Sequence, residues 1–538
     1  MNLKGCEIGA ATVKSVVRQQ RMLGNKPFAI VDGDTLTYEE ADDVANSIAN
    51  GLLQRGVRKG DVVVSYMHNS IDHVSAWFGC AKLGAIFAPI NTALVNLDLE
   101  YTIRDAAPRA VIIDADLLAN YLDVRERLTT AGVVEVVRGA NDCGLTDLVQ
   151  FAELKSCSTA EVDVEVLPED PAGILYTGGS TGLPKGVIVS NMSFFPPAVR
   201  YGEMFAPEPA DVHFGVGQMC HAIGSAIDVF CPMFAGITTV IPRRFSATRF
   251  WDVAREHGAT IVGCLIGPLI SALLNQPSRP DDRDHRVRIA SSGTAQIPAD
   301  RVKAFTERFG VELLEIYGQS ETGALGAIGQ RIGDKVAQSQ GKPHGWCEVM
   351  IADEHDQRCP AGVQGQILLR PTYPHSFLLG YHGKPQKYVE ACQNLWFHTG
   401  DLGHLDDAGN LFLAGRMSHY VRYRGENIAA IEVEHTVMLH PGVAECAIVG
   451  VPAELGDEDV KAYVQLEPGA RVEPDEIVEF CRQRLAYFKV PRYVEFVTEM
   501  PRTATKNEIE RHKLKARGIG TAWDRQREGA GAVSAKRH

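Results

Sequence analysis

The sequence predicts an α/β protein: a large N-terminal part of parallel and mixed sheets with packed helices, followed by a small α+β domain. Three observations carry this. Residues 1 to about 165 alternate helix-like and strand-like segments, the pattern of a parallel sheet with helices on its faces. Residues 419 to about 517 alternate again, on the scale of a compact domain of about 100 residues. The length, 538 residues, exceeds what one core organises and points to about two to four domains.

Taken in order, Phe28–Val31 reads as a strand and Asp32-Gly33-Asp34 as a turn. Thr37-Tyr38-Glu39-Glu40 has capping-box spacing ahead of an amphipathic helix over Ala41–Gln54, closed by Gly56 to Gly60. Asp61–Tyr66 is a strand, Ser70–Leu83 a helix stopped by Gly84, and Ile86–Ile90 the next strand. In the C-terminal part, Cys446–Val449 and Ala462–Val464 read as strands and Pro474–Arg484 as a helix. The tail from Gly518 is Gly, Ala and charge, and is expected to be disordered.

The chain is organised around Tyr176-Thr177-Gly178-Gly179-Ser180-Thr181-Gly182-Leu183-Pro184-Lys185-Gly186, set between apolar runs at Ala172–Leu175 and Val187–Val189. Four glycines allow close backbone approach to a ligand. Backbone N–H groups, the hydroxyls of Thr177, Ser180 and Thr181, and the Lys185 ammonium together make an anion cradle suited to a polyphosphate. The loop is not a Walker A loop: Pro184 separates Gly182 from Lys185, and no Ser or Thr follows the lysine. Taken alone, it is also compatible with a Gly-rich hairpin between two strands.

Composition narrows the function classes. A net charge of −13, with no basic stripe carrying interleaved aromatics, argues against nucleic acid or an anionic membrane as the main partner. The N-terminus lacks an apolar signal region, and no run of about 18 apolar residues occurs, so no membrane span is expected. Twelve scattered cysteines form no C-x-x-C pair, which disfavours a metal cluster or a disulfide framework. A cytoplasmic protein with reduced thiols is the expectation.

The loop resembles the phosphate-binding signature of the adenylate-forming superfamily, which includes acyl-CoA synthetases, adenylation domains and luciferases. Gly178 and Gly179 stand side by side where that signature usually carries a Ser-Gly pair. The resemblance extends over residues 25 to 515 through seven motifs in family order, including the Gly84–Thr92 segment. It implies a nucleotide- and acyl-binding N-terminal domain over 1–415, a hinge at 416–419, and a mobile lid domain over 420–517. The remaining 518–538 would be the tail.

The resemblance also implies a set of site residues. Thr177, Gly178, Gly179, Ser180, Thr181, Gly182 and Lys185 would hold phosphate. Gly293, Thr294 and Ala295, within Ser291–Ala295, would lie along adenine. Tyr317, Gly318, Gln319 and Ser320 resemble the Y-G-x-T-E motif, with Ser320 in place of Thr. The tyrosine face would stack on adenine, and Glu321 would hold Mg²⁺ against phosphate oxygens. Asp401, in Trp396–Asp401, would accept from the ribose hydroxyls, and Arg416 would contact ribose.

His221, Ile223 and Gly224, within Gln218–Gly224, would border the acyl site, with His221 gating the thiol tunnel. Glycines 215, 217 and 224 are expected to leave room for an acyl group. Arg424, Gly425, Glu426 and Asn427 would line the pantetheine tunnel. His419 stands at the hinge position, where the family usually has Asp, and Ser418 replaces a lysine two residues after Arg416.

One departure matters for chemistry. The family ends its lid with P-x-T-x-x-G-K, whose lysine neutralises charge on the acyl carboxylate and α-phosphate during adenylation. Here the segment reads Pro501-Arg502-Thr503-Ala504-Thr505-Lys506-Asn507-Glu508-Ile509. Alignment from the left puts Asn507 at the lysine position; alignment from Ile509 puts Glu508 there and lengthens the loop by one residue. Lys506 is present but shifted.

The expected function is therefore an acyl-CoA ligase that forms a thioester through an acyl-adenylate, with adenylation weakened or lost. His221, Glu321 and Lys506 are its candidate catalytic residues. A complete ATP-dependent synthetase using Lys506, and a non-catalytic adenylate-binding homologue, are the alternatives. The expected cofactors are AMP or ATP (as the acyl-adenylate), CoA and Mg²⁺. The expected partners are a carboxylic acid or its adenylate and, for a half-reaction enzyme, a separate adenylating enzyme. A homodimer is left open, and the acid itself is not readable from the sequence.

Overall fold

The computed structural model describes residues 2–3, 6–7, 11–128, 132–140, 147–179, 182–293, 297–323, 328–343, 345–417, 420–423, 426–453, 458–503 and 509–526. The chain divides into two compact units. The larger comprises residues 1–177, 184–399 and 404–413; the smaller comprises 178–183, 400–403 and 414–538. The architecture is α/β, with a large N-terminal part of parallel and mixed sheets and a smaller C-terminal part.

Local chemistry sets the first elements. Pro27–Val31 and Asp34–Thr37 form an antiparallel hairpin. Both residues of its turn take positive φ, 54° at Asp32 and 91° at Gly33, as a two-residue turn matched to strand twist requires. Thr37 then caps the helix Tyr38–Gln54: the Glu40 N–H donates to Thr37 Oγ1 at 3.2 Å, and the Thr37 N–H donates to Glu40 Oε2 at 2.9 Å. Ser70 caps Ile71–Leu83, which ends at Gly84 in the left-handed region.

Two large sheets organise the larger unit. One runs Gly380–Tyr381, Gly182–Ser190, Pro171–Gly179, Ile86–Pro89, Val62–Tyr66, Ala110–Asp114, Val134–Arg138 and Val149–Gln150. The other is parallel from Glu312–Tyr317 through Ile289–Ser292, Ile261–Leu265, Val212–Phe214 and Thr238–Ile241 to Pro27–Val31, with antiparallel edges. Strands buried on both faces read as near-continuous apolar runs, as in Val62–Tyr66, Ala110–Asp114 and Ile261–Leu265.

The smaller unit carries the hairpin Tyr420–Tyr423 with Glu426–Ala429. Beside it runs a sheet of Val443–Pro452, Glu458–Leu466, Tyr493–Phe496 and Trp523–Asp524. This last strand corrects the expectation of a disordered tail from Gly518. Trp523–Asp524 pairs with Tyr493–Val494, and Arg492 meets Asp524 at 3.2 Å. The buried Lys461 ammonium donates to the carbonyls of Gly518 at 2.8 Å and Ile519 at 3.0 Å. Composition alone misses this, because one aromatic residue and one carboxylate suffice to dock a short polar segment. Residues 527–538 lie outside the described residues. Among the described residues, no helix is long and apolar enough to cross a membrane.

Candidate nucleotide and acyl site

The loop around Lys185 joins the strands Pro171–Gly179 and Gly182–Ser190, which reach further into it than the sequence suggests. Lys185 Nζ lies 3.3 Å from Glu321 Oε1 and donates to the Tyr381 hydroxyl at 2.9 Å. That hydroxyl in turn donates to Glu321 Oε1 at 3.0 Å. The structure thus brings together two residues the sequence had placed in one site, Lys185 and Glu321, through a third it had not named.

Tyr381 comes from Gly380–Tyr381, an edge strand paired with Val187–Ile188. Burial, and secondarily Glu321, drives its phenol pKa upward, so it remains a neutral donor. A second set of contacts braces the loop's flank. Tyr176 donates to Asp105 Oδ2 at 3.0 Å, Lys384 pairs with Asp105 Oδ1 at 2.5 Å, and Tyr101 donates to the Pro184 carbonyl at 3.2 Å. Ser180 and Thr181 lie outside the described residues, and Gly178, Gly179 and Gly182 are described in their backbone only.

The two segments expected at adenine are parallel neighbours. Ile289–Ser292 pairs with Glu312–Tyr317, with Ser292 opposite Glu315. Gly293 follows at a close crossing: a Cβ there would stand 2.8 Å from Ile316 Cγ1 and 3.0 Å from the Ile316 carbonyl oxygen. Tyr317 ends its strand, buried. After Gly318, Gln319 donates through Nε2 to the Thr399 carbonyl at 2.9 Å, and Ser320–Thr322 makes one 3₁₀ turn that presents Glu321. Glu315, on the same strand, is buried, and burial pushes its pKa up to about 7.

The hydroxyls of Thr177 and Ser292 are buried with no hydrogen-bond partner among the described residues. Buried polar groups are normally paired, and these two belong to the segments expected at phosphate and adenine. They fit a bound nucleotide. Thr294 and Ala295 lie outside the described residues.

Asp401 and Arg416 also come together: Arg416 Nε donates to Asp401 Oδ1 at 3.1 Å, across the paired strands Trp396–Leu405 and Leu411–Arg416. His419, Arg424, Gly425, Lys506, Asn507 and Glu508 lie outside the described residues. Glu426 and Asn427 open the strand Glu426–Ala429, described in its backbone only.

The Gln218–Gly224 stretch leads into a π-helix, Ile223–Phe230. Such helices are rare and recur at functional sites. His221 is half-buried, with Nε2 3.5 Å from Asn91 Nδ2, and its carbonyl accepts from the Ser225 N–H at 3.0 Å. The expectation that glycines 215, 217 and 224 open space for an acyl group is corrected here. A Cβ on Gly215 would meet Asp228 Cβ at 2.7 Å, and one on Gly217 would meet Asp228 Oδ2 at 2.9 Å. A Cβ on Gly224 would meet the Gln218 carbonyl oxygen at 2.1 Å. The space these glycines vacate is filled by a side chain and by backbone of the protein itself.

Two places offer metal donors. Glu321 supplies one carboxylate, which suits Mg²⁺ in company with substrate phosphate oxygens. His68, Asp114 and Asp116 also cluster, but Arg138 lies 3.0 Å from Asp114 and Arg243 2.8 Å from Asp116, which neutralises both carboxylates.

Known proteins match this chain along most of its length. Residues 16–382 match the AMP-binding enzyme family, and residues 432–507 match the AMP-binding enzyme C-terminal domain. The chain is 31% identical over 487 residues to a crotonobetaine/carnitine–CoA ligase of Escherichia coli (strain SE11), covering 89% of this chain and 93% of that one. A ligase of the same name from Salmonella typhi is 30% identical over 485 residues, 88% of this chain and 92% of that one.

Among solved structures, the anthranilate CoA ligase AuaEII in complex with anthranoyl-AMP superposes with a TM-score of 0.84 at 26% identity, covering 99% of this chain and all of that one. A benzoate CoA ligase from Burkholderia xenovorans LB400 gives 0.81 at 25% identity, over 94% and 99%. The chain belongs to the AMP-binding enzymes, the adenylate-forming superfamily. Within it, the chain is of the acyl-CoA synthetase class of acid–thiol ligases.

Proposed function

We propose that the protein forms an acyl-CoA thioester through an acyl-adenylate, and that its adenylation half-reaction is weakened or lost. In the first half, a carboxylate oxygen attacks the α-phosphorus of ATP and pyrophosphate leaves. In the second, the CoA thiol attacks the acyl carbon, AMP leaves with the bonding pair, and the thiol proton goes to solvent. Lys185 and Glu321 with its Mg²⁺ would serve the phosphates, Asp401 and Arg416 the ribose, and His221, Ile223 and Gly224 the acyl group. Arg424 to Asn427 would line the path of the thiol arm.

The observation carrying the narrower claim is the segment Pro501–Ile509, which holds no lysine at the family position in either register. The ends of that segment are fixed, which supports placing the departure in the loop itself. Arg502 bridges Ile509, the Glu510 N–H donates to the Pro501 carbonyl at 2.8 Å, Arg502 pairs with Glu445, and Arg511 holds Glu434 at 2.8 Å. A preorganised cation facing developing negative charge is commonly worth about 10²–10³ in rate. Without it, a preformed adenylate from a separate adenylating enzyme becomes the natural substrate.

The test compares ATP–pyrophosphate exchange across a panel of free acids with CoA-thioester formation from the matching synthetic adenylates. Thioester formation from an adenylate, with exchange at background, is expected. Rapid exchange with any acid that is also turned over would restore the complete synthetase using Lys506. Failure of both reactions would leave the non-catalytic homologue. A variant lacking Lys506 and carrying Glu508→Lys is expected to gain exchange.

A further inference from the structure

The backbone just before His221 is held by side chains from both sides. On one side, the Asp228 carboxylate accepts at Oδ2 from the Gly217 N–H at 2.8 Å and the Val216 N–H at 3.1 Å. Its other oxygen lies 2.9 Å from His213 Nε2, and Tyr201 Oη lies 3.0 Å from His213 Nδ1. Asp228 and His213 are both fully buried. On the other side, Asn69 accepts from the Met219 N–H at 2.8 Å and donates to the Gly217 carbonyl at 3.0 Å. Gly217 therefore has its N–H taken by one side chain and its carbonyl by another.

Three glycines on two segments make way for the single carboxylate. A Cβ on Gly215, Gly217 or Gly263 would lie 2.7, 2.9 or 2.2 Å from an Asp228 atom. A buried charge is tolerated only when paired and hydrogen-bonded, and losing one partner of such a set is strongly destabilising. Here the donors include the backbone of the very segment that carries the acyl-site residues. Asp228 itself sits on the π-helix that begins at Ile223.

We propose that Asp228 and Asn69 are positioning residues of the acyl site. Together they clamp Val216–Met219, and thereby fix where His221 and the start of the π-helix stand against the acyl group. The Tyr201–His213 pair holds the Asp228 carboxylate in the orientation that receives the two N–H groups. This rests on the reading of His221 as a wall of the acyl site.

The test measures binding of the non-hydrolysable sulfamoyl adenosines of butyrate, hexanoate and benzoate, with AMP as the acyl-free control. The proteins are the full-length wild type, Asp228→Asn, Asn69→Ala, His221→Ala and the two doubles with His221→Ala. Asp228→Asn and Asn69→Ala are each expected to change the acyl-to-AMP affinity ratio by roughly 10- to 100-fold, the scale of a small misplacement of a binding wall. AMP affinity itself should hold. On the His221→Ala background the same substitutions should add little.

If acyl compounds and AMP weaken together, or neither moves, the two side chains are structural only and the proposal falls. If His221→Ala shifts the ratio while both clamp variants leave it unchanged, the proposal falls but the acyl site stands. If His221→Ala itself leaves the ratio unchanged, the reading of the site fails and the proposal with it. Should Asp228→Asn not fold, Asn69→Ala decides alone, because it grips the same segment without the buried charge.

Discussion

Glu315→Gln isolates a charge that the fold holds at a disadvantage in Glu312–Tyr317, one of the two segments expected at adenine. Glu315 is 3% exposed, and burial raises its pKa from the ordinary 4.5 to about 7, partly offset by the hydrogen bond that Gln340 Nε2 donates to Oε2. Because the folded value lies above the unfolded one, the folded protein keeps a proton that the unfolded chain sheds between these values. Stability attributable to this group therefore falls as pH rises through that window, and the loss is complete above about 7.

A shift of that size corresponds to about 3 kcal/mol at full ionisation, at about 1.4 kcal/mol per unit. Glutamine keeps an acceptor for Gln340 and removes the charge. Urea unfolding should thus show the variant more stable than wild type by up to about 3 kcal/mol near pH 8.5, with the gap mostly closed near pH 5 and m unchanged. A gap that is equal at both pH values, or a variant less stable than wild type at the higher one, would refute the reasoning. Ser292 pairs directly with Glu315, so AMP affinity is expected to follow the same pH dependence in wild type and to lose it in the variant.

Tyr381→Phe removes the hydroxyl that bridges Lys185 and Glu321; hydrogen bonds to charged groups are worth about 1.5–3 kcal/mol. Thioester formation from acid and ATP, or from ATP-free adenylate if only that is turned over, should drop roughly 10- to 100-fold, and a wild-type rate would show the bridge to be idle. Gly293→Ala places a Cβ 2.8 Å from Ile316, so calorimetry should show destabilisation of about 1–3 kcal/mol with weakened AMP binding; unchanged stability would mean the crossing gives way freely. Asp401→Ala should weaken AMP binding about 10- to 100-fold while altering stability by roughly 1 kcal/mol or less, since its partner Arg416 is 46% exposed; AMP affinity that does not change would remove Asp401 from the ribose site.

What the sequence made legible is short in range. The Thr37 capping box, the Asp32-Gly33 turn and the Gly84 helix stop each rest on residues within a few positions of one another, and the structure has all three. Glu321, Asp401 and Arg416 were singled out through motif order instead; in the structure Arg416 meets Asp401, and Glu321 meets Lys185. Tyr381 was not, because its link to Lys185 spans 196 residues and depends on an edge strand joining the sheet beside Val187. Asp105, which braces Tyr176 and Lys384, and Asn91 beside His221 were missed for the same reason.

The glycines before His221 show a different limit. A cluster of small residues states that something approaches the backbone closely, and a one-dimensional pattern is silent on what approaches. Beside a presumptive acyl site, a ligand was the natural reading. The structure gives the space at Gly215, Gly217 and Gly263 to Asp228. The distinguishing signal was present further along: a lone acid in the apolar run Ala226-Ile227-Asp228-Val229-Phe230, with His213 upstream in an equally apolar strand. A carboxylate and an imidazole that must both be buried require each other, and require donors. Small residues are what let backbone N–H groups come near enough to be those donors, so an isolated buried acid and a glycine cluster in one stretch are better read as two halves of one internal contact.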